Sequence, residues 1–371
     1  MTVLALMLAL GLLAPSRAAP PAPTVTGPRT SERTRVTYVF HARAARAFRC
    51  AVDRPALRRC RRRITLTLAR GAHVLRVRAV DAHGRQSAVT TVRVRILEPR
   101  APEIQVGSEP LNVIAAGDSV WTENYGDGTV SILDVASESA KTVDVGGQPG
   151  GITFGAGSVW VSDLGGGPLT RLDLSGHVLA RIPIGGAGAG VAVAGGTVYV
   201  ADYTGGLVRV NAVTNAVLGR TALAGQPEAV AVGFGRVWVT NSNGTVSTLD
   251  PASGRVDAGA IQIGADADDV SIGSDGVWAV ALYGQTLARI DPATRQVVTR
   301  VRTPGQASGV LADGDSVWVS NYDLGTVSRF SLAGRRLHTY RVGSEPRSLA
   351  AAGGAIWVAN QASRSVSHIT P

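Results

Sequence analysis

The chain has 371 residues, of which 45% are hydrophobic, 17% charged and 5% aromatic, with 45 glycines and two cysteines. This length and composition exclude global disorder and suit a turn-rich β protein with room for two domains. The net charge of +10 conceals a split: residues 1–100 carry 20 Arg against Glu32, Asp53, Asp81 and Glu98, for +16, while the remainder holds 17 basic and 23 acidic residues, for −6.

Residues 2–14 form an apolar run followed by Pro15-Ser16-Arg17-Ala18. Thirteen residues are too few to span a bilayer comfortably, and the small residues that follow suit a cleavage site, so residues 1–18 read as a secretion signal lacking the usual basic start. No later segment is long and apolar enough to cross a membrane. The expected location is therefore secreted or attached to the cell envelope. Residues 19–30, rich in Pro, Thr and Gly, read as an extended lead-in.

Alternating apolar and polar residues at 35–40, 64–68, 73–80 and 90–96 predict strands with one buried face. Cys50 and Cys60 lie ten residues apart in an exported chain, where a disulfide persists. Closing that loop is worth about 3 kcal/mol in the chain-entropy model. Phe48-Arg-Cys50, Cys60 and the run Gly71 to Gly84, with its Asp81-x-x-Gly84 turn, resemble immunoglobulin-like or fibronectin type III-like modules, which implies a β-sandwich over residues 31–98. Arg58, Arg59, Arg61, Arg62 and Arg63 flank Cys60. They read either as a solvated loop or as a patch for an anionic envelope polymer or lipid headgroups. Lys141 is the only lysine, so codon bias in a G+C-rich genome is an alternative reading of part of the arginine excess. Nucleic acid is not an expected partner, because the basic stretch lacks interleaved aromatics.

Residues 99–102 read as a linker. Beyond them Trp121, Trp160, Tyr199, Trp238, Trp278, Trp318 and Trp357 recur at gaps of 39 or 40 residues. A fixed period near 40 with short β-branched runs is the signature of a β-propeller, one four-stranded blade per copy, and seven copies fill residues 103–371. In the fourth copy, strands are predicted at 228–232, 236–240, 245–249 and 260–263, with Asp250 opening a turn that Asp134, Asp173 and Asp291 open elsewhere. Each aromatic falls in a second strand, where its ring packs between neighbouring blades. The chain stops one strand short after Trp357, and residues 103–107 match the outer-strand pattern, so they are expected to complete the last blade.

Trp238-Val-Thr-Asn241 and its counterparts resemble YVTN and NHL-like propeller repeats over all seven copies. Trp121-Thr-Glu123 resembles the streptogramin (virginiamycin B) lyases, which implies a metal-dependent lyase with Glu123 catalytic; separately, the ring positions of Glu228, Asp268 and Asp269 read as an alternative carboxylate cluster for a divalent cation. The histidines His177, His338 and His368 fall outside the inner strands, so no base is placed for such a reaction.

Function in a propeller gathers where the inner strands begin. One ring position there holds Glu228, Asp268 and Arg347 among small residues, and the next holds Asn112 and Asp269. An ion-paired rim facing water is the plainer reading of these charges, and together with Glu123 these residues are the candidate ligand-binding residues. A third ring, Asn124, Asp163, Asp202, Asn241, Ala281, Asn321 and Asn360, reads as structural turn chemistry. The expectation is an exported, non-enzymatic binding protein without a resident cofactor, which engages a protein or small ligand at the mouth.

Overall fold

The computed structural model describes residues 18–371. The expected leader lies outside the described residues except for Ala18. The chain divides into two compact units, Met1–Pro99 and Arg100–Pro371.

The first unit is built from a three-stranded sheet, Thr24–Thr26, Arg35–His41 and Arg63–Thr67, and a five-stranded sheet, Thr30–Ser31, Thr90–Ile96, Gly71–Val80, Ala47–Val52 and Arg58–Cys60. Period-two alternation does the sorting. On Thr90–Ile96, Val92, Val94 and Ile96 are buried, while Thr91, Arg93 and Arg95 are exposed. Tyr38, Phe40, Phe48, Leu75 and Val77 fill the core, and the Tyr38 hydroxyl donates to the Pro28 carbonyl at 2.7 Å. Cys50 and Cys60 are bonded between adjacent strands, with Cα atoms 6.0 Å apart. The lead-in is more than a tether, because Thr24–Thr26 pairs with Arg35–His41 and Thr30–Ser31 runs parallel to Thr90–Ile96. Its β-branched threonines suit strand geometry once an open edge is available.

The second unit holds seven four-stranded antiparallel sheets among the described residues. Six are built from consecutive strands. The seventh is built from Pro346–Ala352, Ala355–Asn360, Ser365–Ile369 and Glu103–Gln105, with Val366 opposite Ile104. Residues 100 and 101, read from sequence as linker, are tied to the unit: Ala101 N–H donates to the Arg341 carbonyl at 2.8 Å and Arg100 Nε to the Val342 carbonyl at 2.9 Å. Each inner strand packs on the inner strand of the next sheet, and Pro346–Ala352 packs on Pro110–Ala116, so the sheets form a closed cycle. This is a β-propeller.

The recurring aromatics hold that cycle together. Trp121 shares a core with Val159 and Val161 of the following sheet, Trp238 with Val270 and Val277, and Trp357 with Val113 and Val120 of the first. Three indole N–H groups donate to the carbonyl five residues back: Trp160 to Gly155, Trp238 to Gly233 and Trp357 to Ala352, at 3.0 to 3.1 Å. Asp134, Asp250 and Asp291 accept backbone N–H groups two or three residues on, which fixes the turn before each outer strand.

Candidate functional site

Every inner strand carries a register shift near its start, between Pro110 and Val113 in the first sheet and at the matching point in the other six. A bulge leaves one residue without a ladder partner and re-aims its side chain. The bulged residues of all seven sheets line one cavity of about 200 Å³, to which Asn112, Glu228, Asp268, Asp269, Ser308 and Arg347 contribute.

The bulges leave backbone groups that the neighbouring strand must satisfy. In three sheets the residue two after the aromatic does so: Ser162 Oγ donates to the Ala189 carbonyl of the next inner strand at 2.5 Å, and Thr240 Oγ1 to the Asp268 carbonyl at 3.2 Å. Ser320 Oγ donates to the Arg347 carbonyl at 2.5 Å. Glu123 occupies the same position in the first sheet. Its Oε1 accepts the Asn112 backbone N–H at 2.9 Å and the Asn112 side-chain amide at 2.6 Å, and that amide also donates to the Gly150 carbonyl at 3.1 Å. The equivalent residues Ala201, Val280 and Ala359 have no polar side chain; in the fifth sheet Asp269 joins the inner strands by accepting Val270 N–H at 2.8 Å and Val310 N–H at 2.9 Å.

The six candidate residues therefore divide in two. Asn112, Glu123 and Asp269 latch inner strands together, and Glu123 is fully buried behind Asn112 rather than lining the cavity. Glu228, Asp268 and Arg347 face the open space. Arg347 Nη1 lies 3.9 Å from Asp268 Oδ2, its Nε donates to Gln361 Oε1 at 2.8 Å, and its guanidinium sits 4.7 Å from the Tyr322 ring centre.

Burial raises every carboxyl in this group above the usual range, because a charge there loses its hydration. For Asp268 burial pushes the pKa to about 8, opposed by Arg347 and assisted by Glu228. Glu228 rises to about 7, through burial and then the charge of Asp266, and Asp269 rises to about 6 through burial against its two backbone hydrogen bonds. Glu123 rises to about 8 through burial, opposed by Asn112. At neutral pH the mouth thus holds part of its acid in protonated form beside one permanent cation.

Sequence reasoning missed Asp266, whose pKa burial also raises and whose charge acts on Glu228. It occupies the turn before the inner strand with φ 62, as Glu109 does with φ 54 and Glu345 with φ 56. The recurrence of an acid just before the inner strand was a usable signal. The Asn and Asp ring is interior: Asn124, Asn241, Asn321 and Asn360 each donate through Nδ2 to two hydroxyls of the third strand. None of the three propeller histidines lines the cavity. No group of three or more His, Cys, Asp or Glu is placed to hold a metal ion among the described residues. In the first unit Arg58 and Arg59 lie exposed on the strand Arg58–Cys60, with Arg61 and Arg63 beyond, while Arg62 is engaged with the Phe40 carbonyl at 3.3 Å and His41 at 2.8 Å.

Residues 156–257 match a family described as the outer membrane protein assembly factor BamB. No curated protein matches the chain in sequence. Among solved structures, Kuenenia stuttgartiensis hydrazine synthase is similar at 16% identity and TM-score 0.63, covering 73% of this chain and 97% of that one. A structure of U3-55K is similar at 12% identity and TM-score 0.65, covering 73% and 98%, and a chain of a mitotic checkpoint complex at 12% and 0.63, covering 73% and 89%. At these identities the likeness concerns the fold.

Proposed function

We propose that this is an exported, non-enzymatic binding protein, in which an immunoglobulin-like module over residues 31–98 precedes a seven-bladed propeller over residues 103–371. The propeller mouth receives a cationic group, such as a lysine or arginine side chain of a partner protein or the amine of a small ligand. The observation that carries this reading is the cavity that gathers Glu228 and Asp268 around a single Arg347. An incoming cation ionises these acids and gains the Coulomb energy of a poorly hydrated site. A volume of about 200 Å³ accommodates one side chain or a small ligand. The likeness of residues 156–257 to an outer membrane protein assembly factor supports a role in holding other proteins. The Arg-rich first unit associates with anionic envelope material, which separates the charge of the two units by task.

The metal-dependent lyase alternative receives no support from the geometry. Glu123 is enclosed and already bonded to Asn112, and neither histidine nor a three-ligand group stands at the mouth. Calorimetric titration of the full chain with a lysine-bearing pentapeptide tests the binding reading. Affinity should rise between pH 6 and 8 and fall at least tenfold in Asp268→Asn and Glu228→Gln. Binding insensitive to both pH and these variants would overturn it.

A further inference from the structure

On their outward side the strands of the five-stranded sheet in the first unit carry six arginines, and no Asp or Glu falls within those strands. Cross-strand register sets Arg59, Arg49 and Arg78 directly opposite one another on three adjacent strands. Arg76 stands between Ala51 and Thr91, and Arg93 and Arg95 stand opposite Val74 and Ala72. Directly opposed residues share a face, and the intervening positions, among them Phe48, Leu75, Val77, Val92 and Val94, are in the core. Alternation has therefore delivered the arginines to a single surface. Arg49, Arg59, Arg93 and Arg95 are exposed, and Arg76 and Arg78 are half-buried.

The four acids of this unit lie outside those strands: Asp53 accepts from His73 and from Val74 N–H at 2.7 Å while its charge also reaches Arg76, Asp81 accepts from Arg85 at 2.7 Å, Glu98 faces Arg70 at 3.9 Å, and Glu32 follows the edge strand Thr30–Ser31. Like charges directly opposite on neighbouring strands repel, so a row of three arginines is held against its own field. A polyanion relieves that repulsion. Strands about 4.8 Å apart place the three arginines across about 10 Å, a span that meets successive phosphates of an extended chain. Guanidinium forks pair with phosphate in two-point contacts. Val89 is the only large apolar side chain exposed among the described residues of this unit, so the face offers nothing to insert into an acyl layer.

We propose that this face docks a linear phosphodiester polymer, with Arg49, Arg59 and Arg78 as its central row. The proposal rests on the reading that the first unit binds anionic material, and of the arginines flanking Cys60 it takes only Arg59, placing the contact on the sheet rather than on Arg58, Arg61, Arg62 and Arg63.

The test uses the full chain and immobilised poly(glycerol phosphate). Six contacts give a slope of log affinity against log salt of about −4, from about −0.7 per charge on a single strand. The triple variant R49S/R59S/R78S should halve that slope and weaken binding at least tenfold at low salt. The charge-matched R58S/R61S/R63S should stay within about twofold of the parent. The opposite ranking overturns the sheet proposal and leaves the anionic-envelope reading standing, whereas absence of binding by the parent overturns both. Tighter binding to phosphatidylglycerol vesicles than to the polymer would replace the polymer with a membrane. Should the serine triple fail to fold, R49K/R59K/R78K keeps the charge and loses the fork. It should bind severalfold more weakly, and binding equal to the parent's counts against the proposal.

Discussion

Glu123 and Asn112 form a closed pair in which one carboxylate oxygen accepts both amide groups of its partner, at 2.9 and 2.6 Å. The other oxygen, Oε2, has no hydrogen-bond partner. A buried acid so placed keeps its proton, and its pKa rises from 4.5 to about 8.

The pH dependence follows from that direction. The folded chain binds the proton more tightly than the unfolded chain, so this stabilisation is complete below pH about 4.5, declines as pH rises and is gone above about 8, an effect on the order of a few kcal/mol. Glu123→Gln removes the titration and preserves the shape. Its melting temperature should therefore vary less between pH 5 and 8 than that of the parent. An identical pH slope in both proteins would place the proton elsewhere.

Arg347 opposes a cationic ligand while restraining Asp268. Replacing it with Gln removes one positive charge from a poorly hydrated cavity, and affinity for the lysine-bearing peptide should increase about tenfold, the equivalent of about 1.4 kcal/mol. Unchanged or weaker binding would mean that Arg347 contacts an anionic part of the ligand.

Removing residues 101–107 strips the outer strand from the last sheet and exposes Val366 and its neighbours. Lost ladder bonds and apolar burial should lower stability by roughly 3–6 kcal/mol. Denaturant unfolding followed by tryptophan fluorescence reports on the whole propeller, since six of the seven interlocking aromatics are indoles. A midpoint unchanged by the deletion would show that the cycle holds without this strand.

Cys50→Ser with Cys60→Ser opens the ten-residue loop of the first unit and should cost about 3 kcal/mol. The propeller has no cysteine and should unfold as before. Two calorimetric transitions, with only one shifted, are the expected outcome.

The repeat was legible because a side chain as large as Trp fits few places. Its recurrence, with Tyr199 standing in once, at gaps of 39 or 40 residues marks the second strand of each sheet. Asp134, Asp250 and Asp291 were legible for a similar reason, since a short acid capping its own turn acts over two or three residues. The division of labour at the mouth was not. Glu123, Thr240 and Ser320 hold one position, yet Glu123 accepts a bulge N–H while Thr240 and Ser320 donate to a carbonyl of the next inner strand, and those unpaired groups lie on other strands.

Sequence by itself determined the β-rich character, the recurring unit and, in the first unit, the side of strands such as Thr90–Ile96 that faces inward, because alternation and aromatic spacing are local properties of the chain. Tertiary structure decided which charges meet. Glu228, Asp268 and Arg347 are 40 and 79 residues apart, and only the closing of the sheets around a common axis brings them to one cavity. Likewise, Arg59, Arg49 and Arg78 become a row only through strand register. The strength of an ionic interaction depends on separation and hydration, and both are set by packing between distant segments.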